Sequence, residues 1–454
     1  MVYNKYFQQL IYWGVWLIIP LLWEILIGFF SAAAVFIRHY FRKQARTLDY
    51  FPRITILIPV YNSETTLGMC LKSVLEQEYP KESLEVMLID NGSKDKSFDI
   101  FMEFQARNSK INMWWFRSEQ GKSKALNKGL FGSSGKYIVN IDSDGCLDKF
   151  ALRNIVERFE SNPEITCMTG VVLINPDMIE NSKSVMLKAV RICELTEYVE
   201  SFLVGRNFQS IFNSIYTLAG AFSCFRRDVI LKTQMYNSET LGEDAHMTFQ
   251  IKSFVGGKIE LCENAFFYTD PLENLNKIYT QRQRWQRAEL EVASLFVKQH
   301  IGGVIDFITK PAVRRLVSDH TLAFPRLIWF FGMIYLYFIN YPLSLLIGAN
   351  LLLYFAYVLN AFCCMLAARL YLKKQRYMKN YLTKHWYFCF LLPIYRFIIF
   401  WVRMAGIINS ITTESQWRTK GFREEIKSVR DGIGREFKAR LGFLYMLKKF
   451  INKE

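Results

Sequence analysis

The residues with the clearest chemical potential are two aspartates that follow a short apolar strand pattern. Asp142 and Asp144 are separated by one residue and come directly after the apolar run Tyr137 to Ile141. In an open α/β sheet, ligands bind at the carboxyl ends of the strands, where these carboxylates would lie. Two carboxylates there predict a site for a divalent cation that takes the rest of its ligands from substrate phosphates. Aspartate and serine also favour turns, so a polar strand-to-turn junction is the alternative interpretation.

Three further segments carry side chains suited to sugar and phosphate chemistry. The run Gln120 to Asn127 predicts a turn followed by a helix start, where Lys122 would meet phosphate. Glu243 and Asp244 open another predicted helix, and a carboxylate beside an activated sugar can act as a general base. The segment Gln281 to Trp285 combines an amide, arginines and an indole, which can position a sugar and neutralise a diphosphate. Each segment also has a simpler interpretation. In the order given, these are a solvated lysine, a first-turn carboxylate and a basic helix at a membrane surface.

The residues before these segments predict the elements that would position them. Arg53 to Tyr61 is a β-branched strand pattern, Glu64 to Gln77 is a helical pattern, and Leu84 to Ile89 is a second strand. Asp90 ends that strand and could accept a hydrogen bond from a base or a ribose, with a turn cap as the alternative. This succession is typical of the opening of a nucleotide-binding α/β unit. Neither GxGxxG nor GxxxxGK[ST] is present, which excludes the dinucleotide and P-loop motifs.

A helical pattern over residues 185–205 carries an acidic triplet. Glu194, Glu197 and Glu200 follow one another at three-residue spacing, which places them on one side of a helix. The simplest interpretation is one charged helix face, and we assign the triplet no chemistry.

Composition limits the class of protein. A chain of 454 residues is expected to form two or three structural units, and 51% hydrophobic with 16% aromatic residues indicates a membrane protein or a very large core. The net charge of +16 favours an anionic membrane surface and anionic substrates over nucleic acid, because the basic residues flank hydrophobic spans. The nine cysteines form no CxxC pair, so buried thiols in a reduced, cytosol-facing region are expected.

Long apolar stretches predict membrane segments at both ends of the chain. Residues 10–38 predict one kinked span, with two short passes as the alternative, and the basic run His39 to Arg46 then places the next domain in the cytoplasm. Residues 327–372 are long enough for two passes, and residues 386–408 form a further apolar segment. A full third pass there would leave the basic tail outside. We expect a cytoplasmic tail, so the last segment is re-entrant or in-plane, or residues 327–372 divide differently.

An ordered set of motifs resembles the membrane-embedded family 2 glycosyltransferases, the group that includes cellulose, hyaluronan, chitin and poly-N-acetylglucosamine synthases. A C-terminal segment, Gln416 to Lys420, also looks like the W-x-T-R gating segment of hyaluronan and chitin synthases. The chain departs from the family pattern after Trp285, where the usual Arg-Trp-x-x-Gly continuation is absent. The matching motifs are Pro59-Val60-Tyr61-Asn62, Asp90-Asn91-Gly92-Ser93, Gly121-Lys122, Asp142-Ser143-Asp144, Gly242-Glu243-Asp244 and Gln281-x-x-Arg284-Trp285.

The resemblance implies a role for each matched residue. Asp90 would contact the uracil of a UDP-sugar, and Asp142 would face the ribose and diphosphate. Asp144, together with Asp142, would bind Mg²⁺ or Mn²⁺. Asp244, with Glu243 beside it, would deprotonate the acceptor hydroxyl. The other residues implied to bind donor or acceptor are Pro59, Tyr61, Asn62, Glu64, Lys122, Gly220, Ala221, Gln281, Arg284, Trp285, Trp417, Thr419 and Lys420.

The resemblance also implies the fold and the domain order. We expect an α/β catalytic domain of GT-A type, Rossmann-like and cytoplasmic, flanked by transmembrane and interfacial helices. The predicted parts are a transmembrane anchor at residues 1–48, a GT-A glycosyltransferase domain at 49–286, amphipathic interfacial helices at 287–321, a transmembrane region at 322–410 and a basic cytoplasmic tail at 411–454.

The predicted activity is inverting sugar transfer from UDP-GlcNAc or UDP-Glc to a growing β-linked polysaccharide, with export of the polymer. The alternatives are transfer of a single sugar to a lipid or short acceptor at the membrane, and an inactive scaffold that binds nucleotide sugars. The expected partners are a carbohydrate or lipid-linked acceptor, membrane lipid, and an accessory subunit or a second copy of the chain, but not nucleic acid. The expected location is the plasma membrane, with several passes.

Overall fold

The computed structural model describes residues 24–41, 48, 50–238, 240–300, 323–412, 421 and 424. These residues form a mixed sheet of eight strands, packed between two apolar cores that lie on its opposite faces. The strands are β1 (Ile54–Val60), β2 (Leu84–Asp90), β3 (Asn112–Arg117), β4 (Tyr137–Ile141), β5 (Gly145–Leu147), β6 (Ile165–Ile174), β7 (Phe222–Arg226) and β8 (Lys258–Thr269).

The strand order explains where a ligand can bind. The sheet runs β3-β2-β1-β4-β7-β6-β8-β5, and its first four strands are parallel. Every residue of β1 and β4 is buried, as expected for parallel strands that are covered on both faces. Ile56 and Ile58 enter one core, whereas Leu57 between them enters the other. The strand order reverses between β1 and β4, and a crevice forms outside the carboxyl ends of strands at such a point.

The helices of the α/β part follow the predicted succession with one shift. Helix α2 begins at Leu67 instead of Glu64 because Ser63 O accepts hydrogen bonds from the backbone N of both Thr66 and Leu67 in a preceding turn. A π-helical segment, Val199–Gly205, links α7 to α8. The helices are α1 (Leu26–Phe41), α2 (Leu67–Leu75), α3 (Ser97–Arg107), α4 (Lys122–Gly132), α5 (Ala151–Ser161), α6 (Pro176–Glu180), α7 (Val185–Tyr198), α8 (Arg206–Ile211), α9 (Arg227–Ile230), α10 (Glu243–Gln250) and α11 (Leu275–His300).

The C-terminal part consists of apolar helices. Within the described residues, two helices are long and apolar enough to cross a membrane, over Leu343–Tyr371 and Phe388–Asn409. A break that includes Tyr341 and Pro342 separates the first of them from a shorter apolar helix, so residues 327–372 are divided between two helices. Helix α11 runs through the predicted domain boundary at residue 286. The remaining helices are α12 (Ala323–Phe338), α13 (Leu343–Tyr371), α14 (Arg376–Lys384) and α15 (Phe388–Thr412).

Side-chain hydrogen bonds attach the apolar helices to the α/β part. The Tyr371 hydroxyl at the end of α13 donates to the carbonyl oxygen of Val35 in α1, at 2.8 Å. Between α13 and α14, the amide of Gln375 donates to Asp148 at 2.8 Å. In α14, the Tyr381 hydroxyl donates to Glu180 of α6 at 2.9 Å. The sheet and the apolar helices therefore pack as a connected unit, which fixes how the sheet edge faces these helices.

Gly135 lies directly before β4, where the chain passes too close to β1 for a side chain. An added Cβ would lie 2.5 Å from the backbone N of Thr55. We expect Gly135→Ala to force the two strands apart and to lower the free energy of unfolding by about 1–3 kcal/mol. Thermal unfolding of the purified protein in detergent measures this as a lower midpoint. Gly132→Ala is the matched control, since its Cβ would meet the end of Met87 at 3.4 Å. Equal midpoints for the two variants would contradict the packing.

Candidate active site

One large cavity contains most of the residues that the sequence singled out. It has a volume of about 2140 Å³ and begins at the carboxyl ends of β1 and β4, at Pro59 and Asp142. It continues past α10 and α11 to the apolar helices, where Trp329, Tyr354 and Phe397 line it. A ligand at the sheet edge and a ligand between the apolar helices would therefore lie in connected parts of one cavity.

The aspartates after β4 stand at the sheet end of the cavity. The hydroxyls of Ser143 and Ser63 share a hydrogen bond of 2.7 Å, which ties the end of β4 to the loop after β1. Burial, and then the charge of neighbouring Asp142, raise the pKa of Asp144 above its usual range. A nearby cation would stabilise the ionised form of such a carboxylate.

Lys122, at the start of α4, places a positive charge beside the carboxylates that line the cavity. Its Nζ lies 2.6 Å from Asp142 Oδ1 and 3.4 Å from Glu243 Oε1, and it donates to the Gly220 carbonyl at 3.4 Å. Burial alone would lower the pKa of Lys122, but Asp142 and Glu243 together raise it. The ammonium group is therefore held charged within reach of any phosphate bound at Asp142.

Asp244 is held by backbone groups at the start of α10. Its Oδ2 accepts a hydrogen bond from Gly220 N at 3.1 Å, and its Oδ1 accepts one from Ala245 N at 2.7 Å. A Cβ at position 220 would lie 3.2 Å from Asp244 Oδ2, so the absence of a side chain lets the two segments approach. Burial, followed by the charge of Glu243, raises the pKa of Asp244 to about 6. A carboxylate of this pKa is ionised at neutral pH and is a stronger base than an exposed aspartate.

The residues that were predicted to bind the acceptor come from α11. Gln281, Arg284 and Trp285 all line the cavity. Among the described residues, the buried side-chain oxygen of Gln281 has no hydrogen-bond partner. Because a buried acceptor without a partner is costly, this oxygen is suited to accept a hydrogen bond from a ligand hydroxyl.

Two of the predicted binding residues do not line the cavity. Asp90 is buried, and its Oδ1 accepts a hydrogen bond from Ser93 N at 2.8 Å, as in the turn-cap alternative; Asn91 lines the cavity there instead. Glu64 Oε2 accepts a hydrogen bond from Lys96 N at 3.2 Å and so supports the loop after β2. Pro59, Tyr61, Asn62, Gly220 and Ala221 line the cavity, whereas Trp417, Thr419 and Lys420 lie outside the described residues.

The structure adds a residue that sequence reasoning missed. Arg206, at the start of α8, lines the cavity and donates from Nη1 to Thr169 Oγ1 at 3.1 Å. Its guanidinium group lies 4.5 Å from the ring centre of Phe202. Burial lowers the pKa of Arg206 to about 10, while Asp244 favours its charged form. An arginine in a helical pattern looks like a surface residue, so the sequence gives no signal for this position.

The acidic triplet of α7 and the π-helical segment after it lies on one helix face, as predicted, but this face is covered by other parts of the chain. Glu194 is fully buried, and Glu200 is 8% exposed. Glu197 and Glu200 line the cavity, where they pair with arginines from α11 and α15. The three-residue spacing predicted the common helix face correctly, but not that other helices cover this face.

The donor set at Asp142 and Asp144 fits a divalent cation that is shared with a substrate. Among the described residues, no group of three or more His, Cys, Asp or Glu could hold a metal ion alone. Mg²⁺ is commonly bound by one or two carboxylates together with substrate phosphates and water. The two carboxylates therefore suit an ion that arrives with a nucleotide diphosphate.

Comparison with known sequences places the α/β part in a family. Residues 55–233 match the family model described as Glycosyl transferase family 2. A poly-beta-1,6-N-acetyl-D-glucosamine synthase of Staphylococcus epidermidis is 28% identical over 239 residues, which are 53% of this chain and 55% of that protein. The matched region thus spans about half the length of that relative. A probable glycosyltransferase of Bacillus subtilis, YdaM, is 23% identical over 422 residues, which are 90% of this chain and 95% of that protein.

Two solved structures resemble this chain at low sequence identity. The mannosyltransferase PcManGT from Pyrobaculum calidifontis, in complex with GDP-Man and Mn²⁺, has a TM-score of 0.49 at 15% identity and covers 85% of this chain and 96% of its own. S. aureus TarS 1–349, in complex with UDP-GlcNAc, has a TM-score of 0.41 at 16% identity and covers 72% of this chain and 89% of its own.

The predicted family and fold class are confirmed. The parallel β3-β2-β1-β4 order is Rossmann-like, and the family match covers β1 to β7 together with the aspartates after β4. This chain carries a glycosyl transferase family 2 domain with the mixed α/β, Rossmann-like fold of the GT-A type.

Proposed function

We propose that this chain is a membrane glycosyltransferase that transfers a sugar from UDP-GlcNAc or UDP-Glc to a growing β-linked polysaccharide and exports the product along its membrane helices. The observation that carries the proposal is the shared cavity. Its walls include Asp142, Asp144 and Asp244 at one end and side chains of the apolar helices α12, α13 and α15 at the other. The poly-N-acetylglucosamine synthase relative supports UDP-GlcNAc as the first donor to test.

The arrangement fits a single displacement at the donor sugar. The acceptor hydroxyl attacks the anomeric carbon, and the bond from that carbon to the diphosphate oxygen breaks. Asp244 takes the hydroxyl proton, while Lys122 and Arg284 stabilise the negative charge that develops on UDP. One displacement inverts the anomeric centre, so an α-linked donor gives a β-linked product.

A divalent cation is part of this proposal. Asp142 and Asp144 would hold Mg²⁺ or Mn²⁺, which would supply positive charge to the leaving diphosphate. The protein's own contribution there is to keep the two carboxylates at the end of β4 and to place Lys122 beside them.

A second candidate is transfer of a single sugar to a lipid-linked or short acceptor. The presence of only two helices of spanning length among the described residues favours it, because a polymer channel needs a wide bundle. The size of the product on denaturing gels separates the two functions. A ladder of long products supports the synthase, and products that stop after one addition support the single transfer.

The first experiment is UDP release by the purified protein in nanodiscs with UDP-GlcNAc, UDP-Glc and other nucleotide sugars. We expect release from one donor, dependent on Mg²⁺ or Mn²⁺ and abolished by EDTA. A control without protein corrects for donor hydrolysis. Silence with all donors and both metals, with and without an added sugar acceptor, would favour the inactive scaffold.

Asp244→Asn tests the general base. Asparagine has the shape of aspartate but cannot take a proton, so we expect turnover to fall by about 10²–10⁴-fold. Binding of UDP, measured by calorimetry, should change less than about twofold, because Asp244 contacts backbone groups and not the predicted nucleotide region. Asp228→Asn is the matched control, since this carboxylate is exposed and lies outside the cavity. Near wild-type turnover of Asp244→Asn would exclude it as the base.

Asp144→Asn tests the cation site. We expect the wild-type protein to bind UDP about ten times more tightly with Mn²⁺ than with EDTA, and the variant to lose this difference. Calorimetric titration in both buffers measures the effect, and the exposed Asp99→Asn serves as the control. A variant that kept the full metal-dependent gain would show that the cation is held elsewhere.

A further inference from the structure

The acidic triplet, Glu194, Glu197 and Glu200, spans α7 and the π-helical segment after it and lies between the α/β part and the apolar helices. Among the described residues, neither carboxylate oxygen of Glu194 has a hydrogen-bond partner. Glu197 and Glu200, by contrast, each contact an arginine. Burying a carboxylate costs free energy unless it is paired, so the partners of these groups indicate what each one does.

Glu197 is paired with Arg282 of α11. The Arg282 Nη2 donates to Glu197 Oε2 at 2.5 Å, and the Tyr395 hydroxyl of α15 lies 3.4 Å from the same oxygen. Arg282 is only 7% exposed. Burial would lower the pKa of Arg282, but Glu197 raises it above its usual value. Arg282 is therefore held in its charged form, and its contact with Glu197 orients the guanidinium group.

Arg282 also packs against the indole of Trp285. Its Cζ lies 4.7 Å from the Trp285 ring centre and 5.7 Å from the ring centre of Tyr198. Tryptophan is the strongest aromatic partner for a cation, and the flat guanidinium group stacks where a lysine ammonium cannot. Because Arg282 covers one face of the indole, a ligand ring can stack only on the other face.

Glu200 forms a second ion pair, which differs from the Glu197 pair in the helix that supplies the arginine. Glu200 lies three residues after Glu197 and contacts Arg396. Arg396 belongs to α15 and not to the helix that carries Trp285. Both pairs are ion pairs between a glutamate of the triplet and another helix, but only the Glu197 pair includes an arginine that stacks on the indole.

We propose that Glu197 is a positioning residue for the carbohydrate acceptor: through Arg282, it holds the Trp285 indole in the orientation that stacks the acceptor sugar. This inference rests on the proposed function, in which Trp285 binds the acceptor. Glu197 and Arg282 act on the acceptor through Trp285 and leave the donor and the reacting groups unaffected.

The test uses the full chain in nanodiscs with Glu197→Gln and Arg282→Lys. UDP release is measured with UDP-GlcNAc while an N-acetylglucosamine oligosaccharide is varied as the acceptor probe. We expect both variants to raise the KM for the oligosaccharide about tenfold, because Glu197→Gln releases the guanidinium group and Arg282→Lys removes its flat stacking surface. The KM for UDP-GlcNAc and the UDP release without acceptor should stay within about twofold.

The two substitutions separate positioning from simple ion pairing. Arg282→Lys keeps a positive charge next to Glu197 but loses the flat group that stacks on the indole. If the pair only joined α7 to α11, lysine would restore a normal oligosaccharide KM, and the proposal would be overturned. Glu200→Gln is the matched control and should leave that KM within about twofold. If Glu200→Gln raised the oligosaccharide KM equally, the loss of any ion pair in this region would explain the effect. That result would also overturn the proposal.

A binding measurement keeps this result distinct from the proposed function. Oligosaccharide binding is measured by calorimetry in an Asp244→Asn background, with and without Glu197→Gln. Weaker binding in the double variant supports the positioning role, and equal binding contradicts it while leaving the glycosyltransferase activity untouched. Failure of the wild-type chain to bind or use any sugar acceptor would refute the proposed function itself and the inference with it.

Discussion

The geometry of the site depends on the balance between one ammonium group and the carboxylates that surround it. Asp142, Asp144, Glu243 and Asp244 line the same cavity, and like charges this close would repel one another in a partly buried space. Lys122 contacts two of them and joins the end of β4 to the start of α10. Its place at the start of α4 also puts the helix N-terminus near the same crevice, where a phosphate is favoured. A diphosphate with its cation would meet charges that are already arranged for it.

The second constraint is the contact between the α/β part and the apolar helices. Helix α11 contributes Trp285 to the cavity, and its neighbour Gln286 accepts a hydrogen bond from Arg403 of α15 at 2.6 Å. At the far end of the cavity, Arg326 of α12 donates to Glu24 at 2.5 Å, and the Tyr357 hydroxyl of α13 donates to the same carboxylate at 2.6 Å. Polar and ionisable groups among apolar helices are costly and usually serve a function. Here they line the continuation of the space that holds the predicted catalytic residues.

The sequence predicted the parts of this structure that are encoded locally. Short apolar runs predicted β1, β2 and β4, and the position of the side chains at their carboxyl ends then followed from the parallel order. Partners distant in sequence could not be predicted in the same way. The residues around Glu197 in the sequence do not indicate whether its side chain faces solvent or an arginine. In the structure it contacts Arg282, which is far along the chain. Asp90 illustrates a related ambiguity, because a strand-end aspartate can face a ligand or its own turn, and here its Oδ1 accepts a hydrogen bond from Ser93 N of that turn.

The continuity of α11 has a consequence for the biochemistry of this protein. A soluble catalytic fragment that ended at residue 286 would cut this helix shortly after Trp285 and remove α15. Glu200 would lose its arginine, Glu197 would lose the Tyr395 hydroxyl, and the apolar side of α7 that packs on α15 would face water. Such a fragment would retain the part of the cavity at the carboxyl ends of β1 and β4 and lose the part that α15 lines. The cavity of this chain is therefore built from both the α/β part and the apolar helices, and it is complete only when both are present.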